Sequence, residues 1–309
     1  MSEKRYRPVT ITPDFYQLGT PSYPAYLSMG DDGMIIEGGI GATFNIIVEQ
    51  IKELGIQPER IKYLALTHTH PDHIGAVPHL KKLWPHLKVV AGSVATELLK
   101  NEEMIKEFIR VDGIISEILL IKGDIAEWPP ELENPTFEVD LVVKEGDKLD
   151  LGSGVVWTVY DTPGHSPCHI SLHNESEGLL VMGDATGIYD PERDIFWPMY
   201  FHSLEAYCNS IRKFSTLPTR IGVLSHNGII EGELRHYLQK AMRATESYHT
   251  EMLRKLSSGE DPKKVSLEMA KWVFTFTNMQ PFETIYGLSR LMMKRSQSVA
   301  DKEDLFTLP

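Results

Sequence analysis

Metal-binding side chains are concentrated in one short run of the sequence, THTHPDH at residues 67–73. Three histidines and one aspartate fall within six positions of this run. The apolar residues 61–66 come directly before it and are typical of a buried strand, and open α/β sheets place their ligands at the C-terminal ends of strands. The alternative is a surface loop that happens to contain three histidines, and the preceding strand disfavours it. The run therefore predicts a metal site, because imidazole nitrogen suits zinc or iron and aspartate adds a hard oxygen.

The spacing within the run sorts these side chains into two pairs. Residues two apart in an extended chain face the same side, so His68 and His70 can reach one ion together. Pro71 bends the chain and favours the start of a helix. The first turn of that helix would carry Asp72 and His73 toward a second ion nearby. The spacing thus predicts a site for two ions.

Further ligands for such a site follow three later strand-like segments, at His165, Asp184 and His226. Each is a weak signal alone, since a single histidine at a strand end is usually structural and a Gly-Asp pair usually marks a turn. All three nevertheless stand at strand ends, and the carboxylate of Asp184 can bridge two cations. Together with the first run they predict one dinuclear site.

Strands and helices alternate around these residues, which predicts an α/β fold with two sheets and a helical appendage. We expect a metal-site domain at residues 1–229, interrupted by a helical insertion at about 101–130, and a helical extension at 230–309 that covers the active-site side. The remaining expected features are paired strands at 23–30 and 33–39, helices at 43–55, 72–84, 94–100 and 203–217, and three helical segments between 230 and 297. Further strands are expected at 61–67, 87–92, 137–143, 155–162, 169–174, 178–184 and 220–225.

Composition excludes several classes of protein. The chain has 309 residues, of which 42% are hydrophobic and 24% charged, so it is neither disordered nor fibrous. Its formal net charge of −12 disfavours a nucleic-acid partner. Two cysteines leave no disulfide scaffold, so a cytoplasmic location is expected, and no apolar run is long enough to predict a membrane span.

The motif His68-x-His70-x-Asp72-His73, followed by His165, Asp184 and His226, resembles that of the metallo-β-lactamase superfamily of hydrolases over residues 14–228. The resemblance implies an αββα fold with a dinuclear site at one edge of the sheet sandwich. Many members carry an aspartate where this chain has Glu37. True β-lactamases of the commonest class have a cysteine in place of Asp184, so the aspartate argues against antibiotic hydrolysis. By the resemblance, one metal would be held by His68, His70 and His165, and the other by Asp72, His73 and His226, with Asp184 bridging them.

Within that superfamily, three features are similar to the quinolone-signal response thioesterases, which act on aminobenzoylacetyl-CoA. They are the strand end EGGI at residues 37–40, the helix with EAY at 205–207, and the helical tail. This likeness implies that the tail helices roof the metal cleft. It does not transfer the identity of the substrate.

The function expected from these residues is metal-dependent hydrolysis of a thioester or other carboxylic ester by a hydroxide that bridges two divalent ions. Zinc is the first expectation, and His/Asp donors also accept iron or manganese. Asp72 would act as the catalytic residue, orienting or accepting a proton of the attacking water while it binds the second ion. The expected binding partner of the protein is a small-molecule ester or thioester substrate. A homodimer is one expected assembly.

Other side chains carry weaker signals. An aromatic-rich loop after Asp184 could line a substrate pocket, although aromatic side chains usually only pack. His169 is expected to be structural rather than a ligand, and Cys168 to be a small buried hydrophobic residue. The histidines on predicted helices, including His79, are expected to be solvated. The pocket residues predicted from the loop are Tyr189, Trp197, Phe201 and His202.

Three other functions remain open on the same fold. A phosphodiesterase or nuclease would usually add a basic surface or a nucleic-acid-binding domain, which the sequence does not suggest. An iron oxidoreductase of the two-iron type would carry a flavin-binding domain after the metal domain, and the tail has no glycine-rich phosphate loop. The last alternative is a regulatory protein that retains the metal site without catalysis.

Overall fold

The computed structural model describes residues 6–277, 279–299 and 304–309. They form two compact units. Unit 1 contains the described residues up to Tyr160 together with Ile170–Glu177, and unit 2 contains Asp161–His169 and the described residues from Gly178 to Pro309. The parts of the two expected domains at 1–5, 278 and 300–303 lie outside the described residues. The expected boundary after residue 229 stays a prediction.

A seven-stranded sheet with strands in chain order forms the centre of unit 1. Its first four strands are antiparallel, and the rest join in parallel, which requires crossover connections on a face of the sheet. The pairing predicted between residues 23–30 and 33–39 is confirmed as β3 with β4. The strands are β1 (Val9–Thr12), β2 (Phe15–Gly19), β3 (Pro24–Met29), β4 (Gly33–Ile36), β5 (Ile61–Ala65), β6 (Lys88–Gly92) and β7 (Leu141–Val143).

The remaining elements of unit 1 include the helices of its crossovers and a second set of strands. Parallel strands β4, β5 and β6 are linked through helices, as a βαβ unit requires. The bounds are α1 (Phe44–Glu53), α2 (Pro71–Ile74), α3 (Val77–Leu83), α4 (Ser93–Leu98), α5 (Glu102–Lys122), β8 (Lys148–Asp150), β9 (Val156–Asp161) and β10 (Ile170–Asn174).

Two predictions for unit 1 need correction. The helix predicted at 72–84 is divided into α2 and α3, because Pro78 near the start of α3 has no N–H with which to continue the helical hydrogen bonds. His79, expected to be solvated, is only 8% exposed because α3 turns its apolar face inward and the imidazole packs on Phe44 at 5.2 Å between ring centres. The helical insertion is present as α5, which begins where the Asn101 side chain accepts a hydrogen bond from the Met104 N–H.

Unit 2 combines a small sheet with long helices. Strands β11 and β14 are parallel and joined through α6, while β15 is antiparallel to β14. The segment expected to be an aromatic-rich loop forms a β-hairpin in which β12 pairs with β13. The bounds are β11 (Leu179–Gly183), β12 (Ile188–Asp190), β13 (Ile195–Trp197), α6 (Leu204–Ser215), β14 (Ile221–Leu224), β15 (Ile229–Glu231), α7 (Leu234–Ser257), α8 (Pro262–Phe274) and α9 (Phe282–Gln297).

The core of unit 2 brings its sheet and the C-terminal helices together. Met182 of β11, Tyr207 of α6, Met252 of α7 and Met292 of α9 are buried in one cluster. The mixed α/β class and the helical C-terminal region are therefore confirmed. Among the described residues, no helix combines the length and the apolar character that crossing a membrane requires.

Candidate functional site

The first pair of candidate ligands follows strand β5 in unit 1. Nε2 of His68 and Nδ1 of His70 lie 3.0 Å apart, and His68 is fully buried. Two nitrogens bound to one tetrahedral zinc, each at about 2.0–2.1 Å, would be separated by about 3.3 Å. The separation observed is therefore close to that of two ligands of one ion, as the spacing of the run predicts.

The second pair lies on the short helix α2. Its first turn is closed by a hydrogen bond of 3.0 Å from the His73 N–H to the His70 carbonyl. Asp72 Oδ2 is 3.7 Å from His73 Nε2, and both side chains are buried. This distance lies within the range of about 3–4 Å that separates neighbouring ligands of one ion. Pro71 thus begins a helix that presents the two donors as predicted.

Glu37 connects the two pairs of ligands through their hydrogen bonds. Its carboxylate accepts a bond of 2.7 Å from the Thr67 hydroxyl and lies 3.0 Å from Nδ1 of His73. Since an ionised carboxylate only accepts, Nδ1 of His73 carries the proton and Nε2 presents a lone pair. The Thr67 hydroxyl donates its only proton to Glu37, so it accepts from Nδ1 of His68 at 3.0 Å, and the lone pair of His68 is on Nε2.

The role of Glu37 is not deducible from the sequence motif alone. The residue follows β4 and is almost completely buried, and its backbone has φ of +72°, a conformation that non-glycine residues rarely adopt. The available signal was its place at a strand end near the strand that leads into the histidine run. Its two contacts supply the orienting carboxylate that ligand histidines normally require.

The candidate ligands of unit 2 converge on Asp184. Its Oδ2 lies 3.4 Å from Nε2 of His165, and its Oδ1 lies 3.4 Å from Nε2 of His226. All three side chains are buried. The two carboxylate oxygens thus face different histidines. This arrangement matches a carboxylate that shares its oxygens between two ions.

Hydrogen bonds orient these unit 2 residues as well. Nδ1 of His165 donates to the Met199 carbonyl over 2.9 Å, so its Nε2 presents a lone pair toward Asp184. His169 makes hydrogen bonds through both ring nitrogens, to the Asp184 N–H at 3.0 Å and to the Thr162 hydroxyl at 2.8 Å. His169 therefore has the structural role expected of it, and Cys168 is buried and not in a disulfide.

The four residues predicted to form a substrate pocket are all in unit 2 but differ in exposure. Trp197 and Phe201 are buried against each other, and the Phe201 ring lies 5.1 Å from that of His165. Tyr189 is partly buried and donates its hydroxyl proton to Asp194. His202 is largely exposed. Its pKa is lowered, mainly because part of the ring is shielded from water and to a lesser extent because of the positive charge of Arg295. Of these four residues, Phe201 is the one that the described contacts place beside a candidate ligand, His165. A role of the four in binding substrate stays a prediction.

Comparison with known protein families identifies the family to which the chain belongs. The profile of the metallo-beta-lactamase superfamily matches residues 25–226, a range that contains every candidate ligand. This chain belongs to that superfamily. The family membership confirms the fold class inferred from the sequence.

Relatives within the superfamily differ in their described roles. The flavo-diiron protein FprA2 of Clostridium acetobutylicum is 36% identical over 197 residues, which cover 62% of this chain and 42% of that protein. The probable metallo-hydrolase YqgX of Bacillus subtilis is 28% identical over 162 residues, covering 52% of this chain and 64% of that protein. The matches thus span less than two thirds of either relative.

A solved structure extends the likeness of fold over nearly the whole chain. The metallo-beta-lactamase family protein TTHA1429 of Thermus thermophilus superposes with a TM-score of 0.67 at 19% identity. The superposition covers 93% of this chain and 94% of that one. At this identity the likeness establishes the fold only.

Proposed function

We propose that this protein is a metal-dependent hydrolase that holds two divalent ions and cleaves a thioester or another carboxylic ester. The observation that carries the proposal is the carboxylate of Asp184, which directs one oxygen toward His165 and the other toward His226, each at 3.4 Å. A buried carboxylate placed this way between two imidazoles is suited to bridging a pair of cations.

The motif of the superfamily implies that these donors serve two ions. One ion would be held by His68, His70 and His165, and the second by Asp72, His73 and His226. Asp184 would be shared between the two ions. The membership of the superfamily and the ligand-like separations within each unit support this assignment. Nitrogen and carboxylate donors fit zinc first, and they also accept iron or manganese.

The protein residues have distinct roles in the proposed reaction. The bound ions would supply Lewis acidity and lower the pKa of a water to near neutrality. Asp72 holds a carboxylate at this site and would orient the attacking water and take up its proton. Glu37 fixes the proton on Nδ1 of His73, and through Thr67 it does the same for His68, so that both imidazoles keep their Nε2 lone pairs available.

The ester or thioester class rests on the similarity of sequence features to thioesterases of the superfamily. The aromatic loop supports it, since Trp197 and Phe201 form an apolar wall beside His165. We include Tyr189, Trp197, Phe201 and His202 as the proposed substrate pocket and a small molecule as the substrate. Cys168 and Cys208 are buried and form no disulfide, which fits a reducing compartment, and we propose the cytoplasm. A homodimer stays a prediction.

The experiment that tests the proposal combines metal analysis with a substrate panel. Wild-type protein should contain about two ions per chain and hydrolyse an acyl-CoA or a p-nitrophenyl ester. Asp184→Asn should lose bound metal and activity together. Glu231→Gln, which removes an exposed carboxylate of the same unit, is the control and should behave as wild type. Full metal content and full hydrolysis in Asp184→Asn would refute the proposal.

An iron oxidoreductase is the second candidate, and the similarity to FprA2 is the observation that favours it. Iron-loaded protein supplied with a chemical reductant would then consume oxygen, while the zinc-loaded protein would not hydrolyse the esters. Hydrolysis of bis(p-nitrophenyl) phosphate without ester cleavage would instead identify a phosphodiesterase. Metal binding without any of these activities would favour a regulatory role.

A further inference from the structure

Unit 1 contains a cavity of about 200 Å³ beside helix α2. Apolar side chains from α2, α3 and α5, from Leu99 directly after α4, and from the segment at 130–137 form most of its wall. Pro71 and Ile74 belong to this wall and flank the donors Asp72 and His73 in the sequence, so an occupant would pack against the turn that carries them. Other apolar lining residues are Leu99, Ile105, Phe108 and Phe137.

Asp112 of α5 brings a carboxylate into this apolar wall. Its Oδ1 accepts a hydrogen bond of 2.8 Å from the Gly41 N–H. No described residue donates a hydrogen bond to its Oδ2, and no described lysine or arginine lines the cavity. Gly75 must lack a side chain here, because a Cβ would lie 2.0 Å from Oδ1. The fold therefore makes room for this acid and leaves half of its hydrogen-bonding capacity unused.

His79 lines the same cavity and is likewise incompletely bonded. The imidazole is 8% exposed, and its buried Nδ1 makes no hydrogen bond to a described residue. Its Nε2 and Asp112 Oδ2 lie 3.6 Å and 2.7 Å, respectively, from one point, the position that a Cβ on Gly41 would occupy. A buried polar atom without a partner destabilises the fold by about 1–3 kcal/mol. Nδ1 of His79 is such an atom, and Oδ2 of Asp112 in the same lining also receives no hydrogen bond from a described residue, so together they point to a ligand that completes them.

The charge of this region indicates which ligand fits. The pKa of Asp112 is raised to about 7, mainly because the carboxyl group is buried. The hydrogen bond from the Gly41 N–H lowers this pKa in part, and the negative charge of Asp72 raises it further. Burial, followed by the charge of Lys82, lowers the pKa of His79, so its imidazole is neutral at pH 7 and can accept a hydrogen bond. The cavity thus contains the carboxyl group of Asp112, with no lysine or arginine in the lining to pair with it, and the neutral imidazole of His79, which can accept a hydrogen bond. A cation with N–H donors satisfies both.

We propose that this cavity is a binding site for a small amine with an aromatic or branched alkyl body, whose ammonium group donates to Asp112 Oδ2 and to a ring nitrogen of His79. A cavity of about 150 Å³ is known to hold benzene, so the volume here accommodates a ring with an aminomethyl group. The apolar side chains enclose the body of the ligand, and the two polar residues select its charge. The lining of the cavity contains none of the candidate metal ligands, although it borders the turn that carries two of them.

Calorimetric titration of the full chain with benzylamine, benzyl alcohol and benzoate at pH 8 tests this site. Benzylamine should bind saturably and at least tenfold more tightly than benzyl alcohol, and benzoate should not bind. Asp112→Asn should weaken benzylamine at least tenfold while leaving benzyl alcohol unchanged. Glu117→Gln removes an exposed carboxylate of the same helix and should leave all three affinities unchanged.

A second variant locates the binding. Ile109 lines the cavity and is 42% exposed, so Ile109→Trp should narrow the opening and weaken benzylamine without disturbing a packed core. Benzyl alcohol binding as tightly as benzylamine to the wild-type chain would overturn the proposal even without a variant. Equal affinity of benzylamine for the wild-type and Asp112→Asn proteins would overturn it as well.

Discussion

The backbone N–H of Asp184 donates a hydrogen bond of 3.0 Å to Nε2 of His169. Because Nε2 is the acceptor, the proton of the imidazole lies on Nδ1 and is donated to the Thr162 hydroxyl at 2.8 Å. This chain of hydrogen bonds holds the end of β11, from which the Asp184 carboxylate reaches His165 and His226. A residue that is not itself a ligand thus fixes the position of the candidate bridging ligand.

We predict that His169→Ala lowers metal affinity by about 10- to 100-fold, the range typical of lost partners of metal ligands. The alanine leaves the Asp184 N–H without its acceptor, so the loop is free to move the carboxylate. Competition with a chromophoric chelator measures the affinity. His169→Gln, whose amide oxygen can accept the same bond, should recover part of it, and the exposed His236→Ala is the control. Unchanged affinity in His169→Ala would show that the bond does not position Asp184.

Removal of the Glu37 carboxylate should also weaken metal binding. Glu37→Ala deprives Nδ1 of His73 and the Thr67 hydroxyl of their common acceptor, so both ligand imidazoles lose their fixed tautomers. We expect a decrease in affinity of about tenfold or more, measured by calorimetric titration with zinc. Glu49→Ala, on the exposed face of α1, provides the comparison. An equal loss in both variants would indicate a general effect of charge rather than an orienting role.

Asp112 should make the stability of the metal-free protein depend on pH. Its folded pKa of about 7 lies above the usual 3.8, so the stabilisation by the protonated acid is complete below pH 4 and is lost as the pH rises through 7. Asn has no such loss. The free energy of unfolding of Asp112→Asn relative to that of the wild type should therefore rise between pH 5 and 8, by at most about 2.7 kcal/mol and mostly below pH 7.

Urea denaturation at pH 5 and pH 8 measures this difference. The exposed Glu117→Gln should show no comparable change between the two pH values. A stability difference between Asp112→Asn and the wild type that is the same at both pH values would contradict an acid with a raised pKa.

Metal binding should stabilise the folded protein. An ion that binds only the folded chain adds about 2.7 kcal/mol at a free concentration 100 times its Kd. Zinc should therefore raise the Tm of the chelator-treated wild type and have a much smaller effect on Asp184→Asn, which loses the negative charge and has an NH2 group in place of one of the two oxygens that face His165 and His226. Thermal unfolding followed by circular dichroism measures both. An equal rise in Tm for the two proteins would place the bound zinc elsewhere.

The sequence by itself determined the features that depend on short separations along the chain. The two-residue spacing of His68 and His70, and the helix start at Pro71, are local properties of the backbone, and both occur as predicted. The pairing of β3 with β4 was also predictable, because two apolar runs are separated by a short turn. Local periodicity and turn chemistry carry this information directly.

The tertiary structure alone decided which distant groups meet. Glu37 contacts His73 from 36 positions away, and Asp112 accepts from Gly41 across 71 positions. His79 lies on a helix that was predicted correctly in type, yet its burial follows from what packs on that helix. Hydrogen bonding and burial depend on the packing of elements distant along the chain, which local periodicity does not encode. The motif of candidate metal ligands could therefore be recognised in the sequence, whereas the residues that contact it, and the cavity beside it, could not.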